Sequence, residues 1–312
     1  MNIKSKISSD LDIPPDMIDE ALLLSRKHVK KFYIKKRNGD KRAILQPSNK
    51  LKTIQYWLMY NVFNELPIHD CAMAYRDGVS ILENAKRHRN NRYFLKIDFT
   101  DFFPSIKWTD FKSILDVWYQ KSNVDWDYNN DAKNLIKKSC FYFHDRLPIG
   151  YPSSPVLSNV VMFDVDVKIS KLIGDNTKYG NVVYTRYADD IVISTDKKGA
   201  CKILLDDIAI IIKSSKSPNI SINESKTKFG SSSGGSASVT GLKICNDGHI
   251  TIHKKQKDHI RLLLGLYKKG ILNPEEHSSL LGHLSYISHV SPDFYSKLQN
   301  LYFNEIYKLK SI

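Results

Sequence analysis

Two adjacent carboxylates, Asp189 and Asp190, stand between two β-branched and aromatic runs, Val182 to Tyr187 and Ile191 to Ser194. The runs predict two strands joined at an acidic turn. Neighbouring carboxylates at a tight turn repel each other unless a cation sits beside them, so the pair invites a metal ion. Tyr93-Phe-Leu-Lys-Ile-Asp98 reads as a third strand that ends on another carboxylate. Mg²⁺ is held by one or two carboxylates together with substrate phosphates, so Asp98 beside the turn predicts a two-metal site for phosphoryl transfer. A second pair, Asp206-Asp207, lies in the helical pattern from Ile203 to Ile212 with no hairpin around it, and reads as surface charge.

The rest of the chain supplies helices around this sheet. Before residue 65 the pattern predicts helix, a basic hairpin turning at Arg37-Asn38-Gly39-Asp40, and a second helix from Leu51. Thr109 is expected to cap a helix with Phe111, Ile114, Leu115 and Trp118 on one face. Ser154-Pro155 opens another, with serine as N-cap and proline first, apolar through Val156, Val160, Phe163 and Val167. The Ser/Gly-rich run from Gly230 to Ser238 reads as a flexible loop joining two strands. From Lys254 onward Ile260, Leu263, Leu264 and Tyr267 share a helix face, ringed by Lys254, Lys255, Lys257, Arg261, Lys268 and Lys269. The order predicts an α+β core followed by a separate, basic, helical unit.

Charge narrows the partners. Forty-seven lysines and arginines against 33 acidic residues leave +14 on 312 residues, which favours a polyanion, nucleic acid first. No stretch approaches the roughly 20 apolar residues of a membrane span, and the run Ala21 to Leu24 is too short for a signal-peptide core, so a cytoplasmic protein without membrane association is expected. Cys71, Cys140, Cys201 and Cys245 form no Cys-x-x-Cys pair, which argues against a zinc site or a disulfide framework and for reduced, mostly buried thiols.

Four segments in order resemble the motifs of reverse transcriptases: Asp98-Phe-Thr-Asp-Phe-Phe-Pro-Ser-Ile106, Leu147-Pro-Ile-Gly-Tyr-Pro-Ser-Ser-Pro-Val-Leu-Ser-Asn159, Tyr187-Ala-Asp-Asp190 and Asn223-Glu-Ser-Lys-Thr-Lys228. The resemblance, which runs from about Lys35 to Leu301, implies a right-hand polymerase fold. Its N-terminal helices and fingers would be 1–90, a palm of antiparallel sheet plus helices 91–245 with finger elements inserted at about 107–145, and a helical thumb 246–312. It also implies roles. Asp98, Asp189 and Asp190 would hold two Mg²⁺ ions, for which Mn²⁺ can stand in, and Lys226 would protonate pyrophosphate. Lys35 or Lys36 and Arg42 would grip the triphosphate of a dNTP, alongside Asp101, Phe102, Ile149 and Gly150, and Phe103 would exclude a ribose 2′-hydroxyl. The family usually carries glutamine where this chain has Ile149 and alanine where it has Tyr151, so a hydrogen bond near the incoming sugar is missing.

Two shorter segments resemble signatures of the retron enzymes: Asn84-Ala-Lys-Arg-His88 and Val239-Thr-Gly241. That resemblance implies a cognate structured non-coding RNA as partner, read by Asn84, His88, Val239, Thr240 and Gly241. Lys254, Lys255, Lys257 and Arg261 would hold the RNA–DNA product duplex. Synthesis would start from the 2′-hydroxyl of an internal guanosine and give branched, RNA-linked DNA. The template would be trimmed by host RNase H, and the system would act with an unidentified effector protein in defence against phage. Two rivals stay open at this point: a bacterial reverse transcriptase with an ordinary 3′-hydroxyl primer, and a catalytically silent RNA-binding scaffold.

Overall fold

The computed structural model describes residues 1–35 and 39–311. Its strands in chain order are β1 (Lys30–Lys35), β2 (Lys41–Gln46), β3 (Tyr93–Thr100), β4 (Val182–Tyr187), β5 (Asp190–Thr195), β6 (Ser221–Ile222), β7 (Lys228–Ser231), β8 (Ser238–Val239), β9 (Leu242–Ile244) and β10 (Ile250–Thr251). They form a two-stranded hairpin β1-β2, a five-stranded antiparallel sheet centred on β3, and a small sheet β10-β9-β8. Strand β5 lines one side of β3, from Tyr93 opposite Thr195 to Asp98 opposite Asp190, and β4 lies beyond it. On the other side β7 pairs with the first half of β3 and β6 with its end.

Alternation along β3 sorts the two faces of this sheet. Leu95, Ile97 and Phe99 enter a large apolar core with Val165 and Ile169 of helix Phe163–Leu172 and Leu204 and Ile208 of helix Ala200–Ser214. The N-terminal helices Ile3–Leu11, Pro15–Leu23 and Asn49–Asn61 bury Ile7, Ile18 and Leu58 in the same core. Phe94 faces the other way, and Lys96 and Asp98 share its side of the sheet.

Two helix starts differ from expectation. The helix read as capped by Thr109 spans Trp108–Lys121 with Lys107 as its N-cap, because the Asp110 carboxylate accepts the Lys107 N–H at 2.8 Å. The Ser154 hydroxyl donates to the Pro148 carbonyl (2.7 Å) instead of capping, so Ser153 is the N-cap and Ser154 is already helical. That helix stops at Val161, and a second begins at Phe163.

The C-terminal helices Lys254–Lys268, Pro274–Val290, Pro292–Leu301 and Phe303–Lys310 bury Ile260, Leu264, Leu284, Leu298 and Leu309 in a second core. That core also takes Ala85, Phe94 and Val192, so the unit expected to be separate is closed against the sheet and helix Ile81–His88. The Ser/Gly-rich run does join two strands. Gly230 and Ser231 belong to β7 and Ser238 to β8, and between them lies a turn in which Ser231 Oγ accepts from Gly234 N and Ser236 Oγ from Ser231 N, both at 2.9 Å. Among the described residues no helix is long and apolar enough to cross a membrane. The four cysteines are free, with Cys71, Cys140 and Cys201 buried.

Candidate catalytic site

Antiparallel register places Asp98 directly opposite Asp190, and Asp189 caps the turn between β4 and β5 beside them. Ala188 makes this turn with φ of 56°. Phe99 N–H donates to the Asp189 carbonyl (3.2 Å) and Asn223 N–H to that of Asp98 (2.8 Å), which pins both backbones. Asp98 is 9% exposed. Burial, reinforced by the charges of Asp189 and Asp98, pushes Asp190 up to about 6, and burial with Asp98 raises Asp189. Three carboxylates brought together in this way form a seat for a hard divalent cation, and an all-carboxylate set suits magnesium or manganese over zinc.

Lys226, in the turn after β6, places Nζ 2.8 Å from Asp98 Oδ1, and this bond raises its own pKa. The Lys226 side chain is 59% exposed, so the pair is weak and the lysine can leave it for a phosphate.

Beneath the turn lies a group that sequence reasoning did not single out. Arg186 is wholly buried; its Nε and Nη2 bind Asp166 at 3.0 and 2.7 Å, while Nη1 donates to Asn159 Oδ1 (3.0 Å) and to the Ala188 carbonyl (3.3 Å). Tyr184 hydroxyl also donates to Asp166 (2.6 Å). The Arg186 backbone pairs with Cys71 and Met73, and Asn159 donates to the Ala74 carbonyl (2.8 Å). Arg186 thus joins the acidic turn to the helix starting at Ser154 through its side chain and to segment 71–74 through its backbone.

Leu45 N–H of β2 donates to the Ile149 carbonyl (2.8 Å), which docks the basic hairpin on the Leu147–Asn159 segment. Gly150 allows this approach, since with φ of 110° a Cβ there would lie 2.6 Å from the Leu45 carbonyl oxygen. Arg42 and Lys35 are exposed on the hairpin, and the Arg42 charge reaches Asp189, partly countering its raised pKa. Lys36 and the turn residues Arg37 and Asn38 lie outside the described residues. Asp101, with φ of 45°, turns the chain so that Phe102 stacks on Phe99 (5.8 Å) and half-buried Phe103 meets Phe102 edge-on (5.4 Å). Tyr151 is buried, and its hydroxyl has no hydrogen-bond partner among the described residues.

The family described as "Reverse transcriptase (RNA-dependent DNA polymerase)" matches residues 34–266. "Retron Ec73 reverse transcriptase" of Escherichia coli is 44% identical over 98% of this chain and 96% of its own length. The chain belongs to the retron reverse transcriptases. "Retron Ec83 reverse transcriptase", also of Escherichia coli, is 31% identical over 91% of this chain and 90% of its own. Among solved structures, the apo telomerase of Candida tropicalis superposes with a TM-score of 0.54 at 13% identity, covering 90% of this chain and 58% of that one. At that identity the likeness shows the fold alone, a right-hand polymerase fold.

In this reverse transcriptase one retron segment meets the helix that carries the other: Thr240 Oγ1 donates to the carbonyl of Ile81 (3.3 Å), three residues before Asn84. Burial corrects the reading of Asn84, His88 and Val239 as direct RNA contacts, because all three are wholly buried. His88 Nδ1 and Nε2 lie 2.8 Å from Ser194 Oγ and 2.7 Å from Thr185 Oγ1, and burial pushes its pKa down to about 3, so the ring is neutral. His88 thus braces β4 and β5 from behind, the buried Asn84 amide has no hydrogen-bond partner among the described residues, and Thr240 is half-buried and Gly241 exposed. On helix Lys254–Lys268, Lys254 and Lys255 are exposed, whereas Lys257 and Arg261 sit over the Phe294 ring at 5.3 and 5.0 Å and Arg261 also pairs with Asp258 (2.8 Å). Cys245, Asp247 and His249 bring donor atoms within 4.8 Å of one another in the β9–β10 turn, a mixed set that a search for Cys-x-x-Cys passes over.

Proposed function

We propose that this reverse transcriptase copies part of its own structured non-coding RNA into DNA, starting from the 2′-hydroxyl of an internal guanosine, and leaves a branched, RNA-linked DNA. The observation that carries the chemistry is the register of Asp98 opposite Asp190 with Asp189 beside them. These three carboxylates would hold two Mg²⁺ ions, or Mn²⁺ in their place, which would supply activation of the priming hydroxyl and charge neutralisation at the triphosphate and pyrophosphate.

The chain's own residues do the rest. Arg42 and Lys35 hold the triphosphate from the hairpin, where guanidinium gives bidentate contacts. Asp101, Phe102, Ile149 and Gly150 shape the pocket through their backbone, and Phe103 stands where a ribose 2′-hydroxyl would enter. Lys226 leaves Asp98 and gives a proton to pyrophosphate. Lys254, Lys255, Lys257 and Arg261 bind the template–product duplex through phosphates, with affinity that falls as salt rises. The retron assignment, rather than use of a free 3′-hydroxyl, is supported by 44% identity over 98% of the chain to a retron enzyme and by the bond from Thr240 to the helix that carries Asn84 and His88. Host RNase H trims the template in the cytoplasm, and an effector protein completes a phage-defence system.

The test is a denaturing gel of nucleic acid co-purifying with the protein, expressed with its native flanking DNA, before and after RNase and DNase. A discrete DNase-sensitive band that shortens with RNase is expected. Extension of an added primer with no such band would replace this reading by the 3′-primed one.

A further inference from the structure

A second set of cation ligands, different in chemistry from the three carboxylates, stands on the turn between β9 and β10. Cys245, Asp247 and His249 each offer one donor atom, a thiol sulfur, a carboxylate oxygen and a ring nitrogen, and the three lie within 4.8 Å of one another. The backbone brings them together. Ile250 pairs with Ile244, so the same register sets His249 opposite Cys245 and sends both side chains to one face. Cys245 N–H donates to the His249 carbonyl (2.8 Å) and Gly248 N–H to that of Cys245 (3.0 Å), with Gly248 at φ of 78° closing the turn. Asp247 Oδ1 accepts the His249 N–H (3.0 Å), which holds the carboxylate over the turn and leaves its second oxygen for a ligand.

The donor types choose the ion. Thiolate and imidazole beside a single carboxylate form a borderline set that suits Zn²⁺ over Mg²⁺ or Ca²⁺. Tetrahedral zinc with bonds of about 2.0–2.3 Å spaces its donors about 3.3–3.6 Å apart. Small rotations of half-buried Cys245 and exposed Asp247 and His249 close the set to that size. Binding displaces the thiol proton, and thiolate and carboxylate together then cancel the charge of the ion. Neutrality matters at this place, because Lys257 is close enough to Cys245 to feel its charge.

The turn also joins two parts of the fold. From β10 the chain runs directly into helix Lys254–Lys268, whose N-cap is His253. On its other flank Gly248 lies against the residue that follows helix Ile81–His88, since a Cβ at Gly248 would stand 3.3 Å from the Arg89 carbonyl oxygen.

We propose that Cys245, Asp247 and His249 form a zinc site, with water as fourth ligand, that clasps the β9–β10 turn where the chain crosses from the sheets into the C-terminal helices. The site is independent of the polymerase reading. None of its ligands belongs to the segments that carry Asp98, Asp189, Asp190 or Lys226, and no step of DNA synthesis passes through it.

The experiment takes the full chain, stripped with a chelator and kept reduced, and titrates it with Zn²⁺ alone against a chromophoric chelator and with Co²⁺ followed by absorption. The proteins are wild type, Cys245→Ser, Asp247→Asn, His249→Gln and, because the catalytic carboxylates also take divalent ions, Asp189→Asn. Wild type and Asp189→Asn should give with Co²⁺ the thiolate charge-transfer band and the d–d bands of a tetrahedral site. The thiolate band reports Cys245, since Cys71, Cys140 and Cys201 are buried. Cys245→Ser should lose it, and each ligand variant should bind Zn²⁺ about tenfold or more weakly. Zn²⁺ should raise the melting temperature of the wild type more than that of Cys245→Ser. Melting without metal checks that the variants fold, and exposed His249 supplies the answer if Cys245→Ser does not. A wild type without the thiolate band, a band that survives Cys245→Ser, or wild-type Zn²⁺ affinity in both Asp247→Asn and His249→Gln would overturn the site. Loss of the band in Asp189→Asn would place the ion at the carboxylates and overturn it as well.

Discussion

Arg186 and Asp166 are both wholly buried and meet at 2.7 Å directly under the turn that carries Asp189 and Asp190. The ion pair lies in the core, where its desolvation cost is large and its contribution to net stability small. What it does is structural at one remove: the guanidinium fork that satisfies Asp166 also holds the carbonyl of Ala188, the left-handed residue of the turn.

Removing one partner leaves the other charged and alone. Arg186→Met should therefore lower stability by about 3–5 kcal/mol. Replacing both, as Arg186→Met with Asp166→Leu, should recover most of that loss without restoring DNA synthesis, because Ala188 still lacks its donor. Urea unfolding and single-turnover rates on the three proteins check this; full activity in the double variant would show that the pair serves folding alone.

Asp190, held up at about 6, gives a pH dependence of defined sign. Its folded pKa is above the unfolded value, so between about pH 4 and 6 the native state keeps a proton the unfolded chain has lost, and this group's contribution to native stability falls as pH rises. Metal binding needs the carboxylate and moves the other way. Mg²⁺ affinity by titration calorimetry should weaken on going from about pH 7.5 to about pH 5.5 as Asp190 protonates. Asp190→Asn should flatten that dependence, and an equal wild-type affinity at the two values would count against the assignment.

The clustering of Asp98 with Asp189 and Asp190 was legible because its signal is local: a period-two apolar run, a turn, and acids where burial is expensive. Arg186 was not, since an arginine between Thr185 and Tyr187 reads as a solvent-facing strand position until Asp166, from a distant helix, meets it. Asn84 and His88 were found as a pattern, but their complete burial was not legible, because sequence does not distinguish a histidine at the surface from one bonded to two strands beneath it. The cap misread at Thr109 has the same origin at smaller scale. Asp110 reaches back to Lys107, and the helix starts where that bond forms.

Gly150→Ala should strain a residue at φ of 110° and push on Leu45, displacing the hairpin that carries Arg42. KM for dNTP should rise about tenfold with a smaller change in kcat. Steady-state kinetics decide it, and a loss confined to kcat would mean that the hairpin does not set nucleotide affinity.

Phe103 is half-buried against Phe102. Phe103→Ala should open the space beside the incoming sugar and reduce discrimination against ribonucleotides by about tenfold or more. Competitive incorporation of one dNTP against its ribonucleotide measures this, and unchanged discrimination would assign Phe103 to packing only.

The most direct measurement is single-nucleotide incorporation into a primed RNA template with Mg²⁺, comparing wild type with Asp189→Asn while melting temperature and RNA retention are followed in parallel. Loss of a metal ligand at the reacting centre should slow incorporation by about a thousandfold or more with folding and RNA binding kept. A rate within about tenfold of wild type would contradict the metal site at Asp98, Asp189 and Asp190.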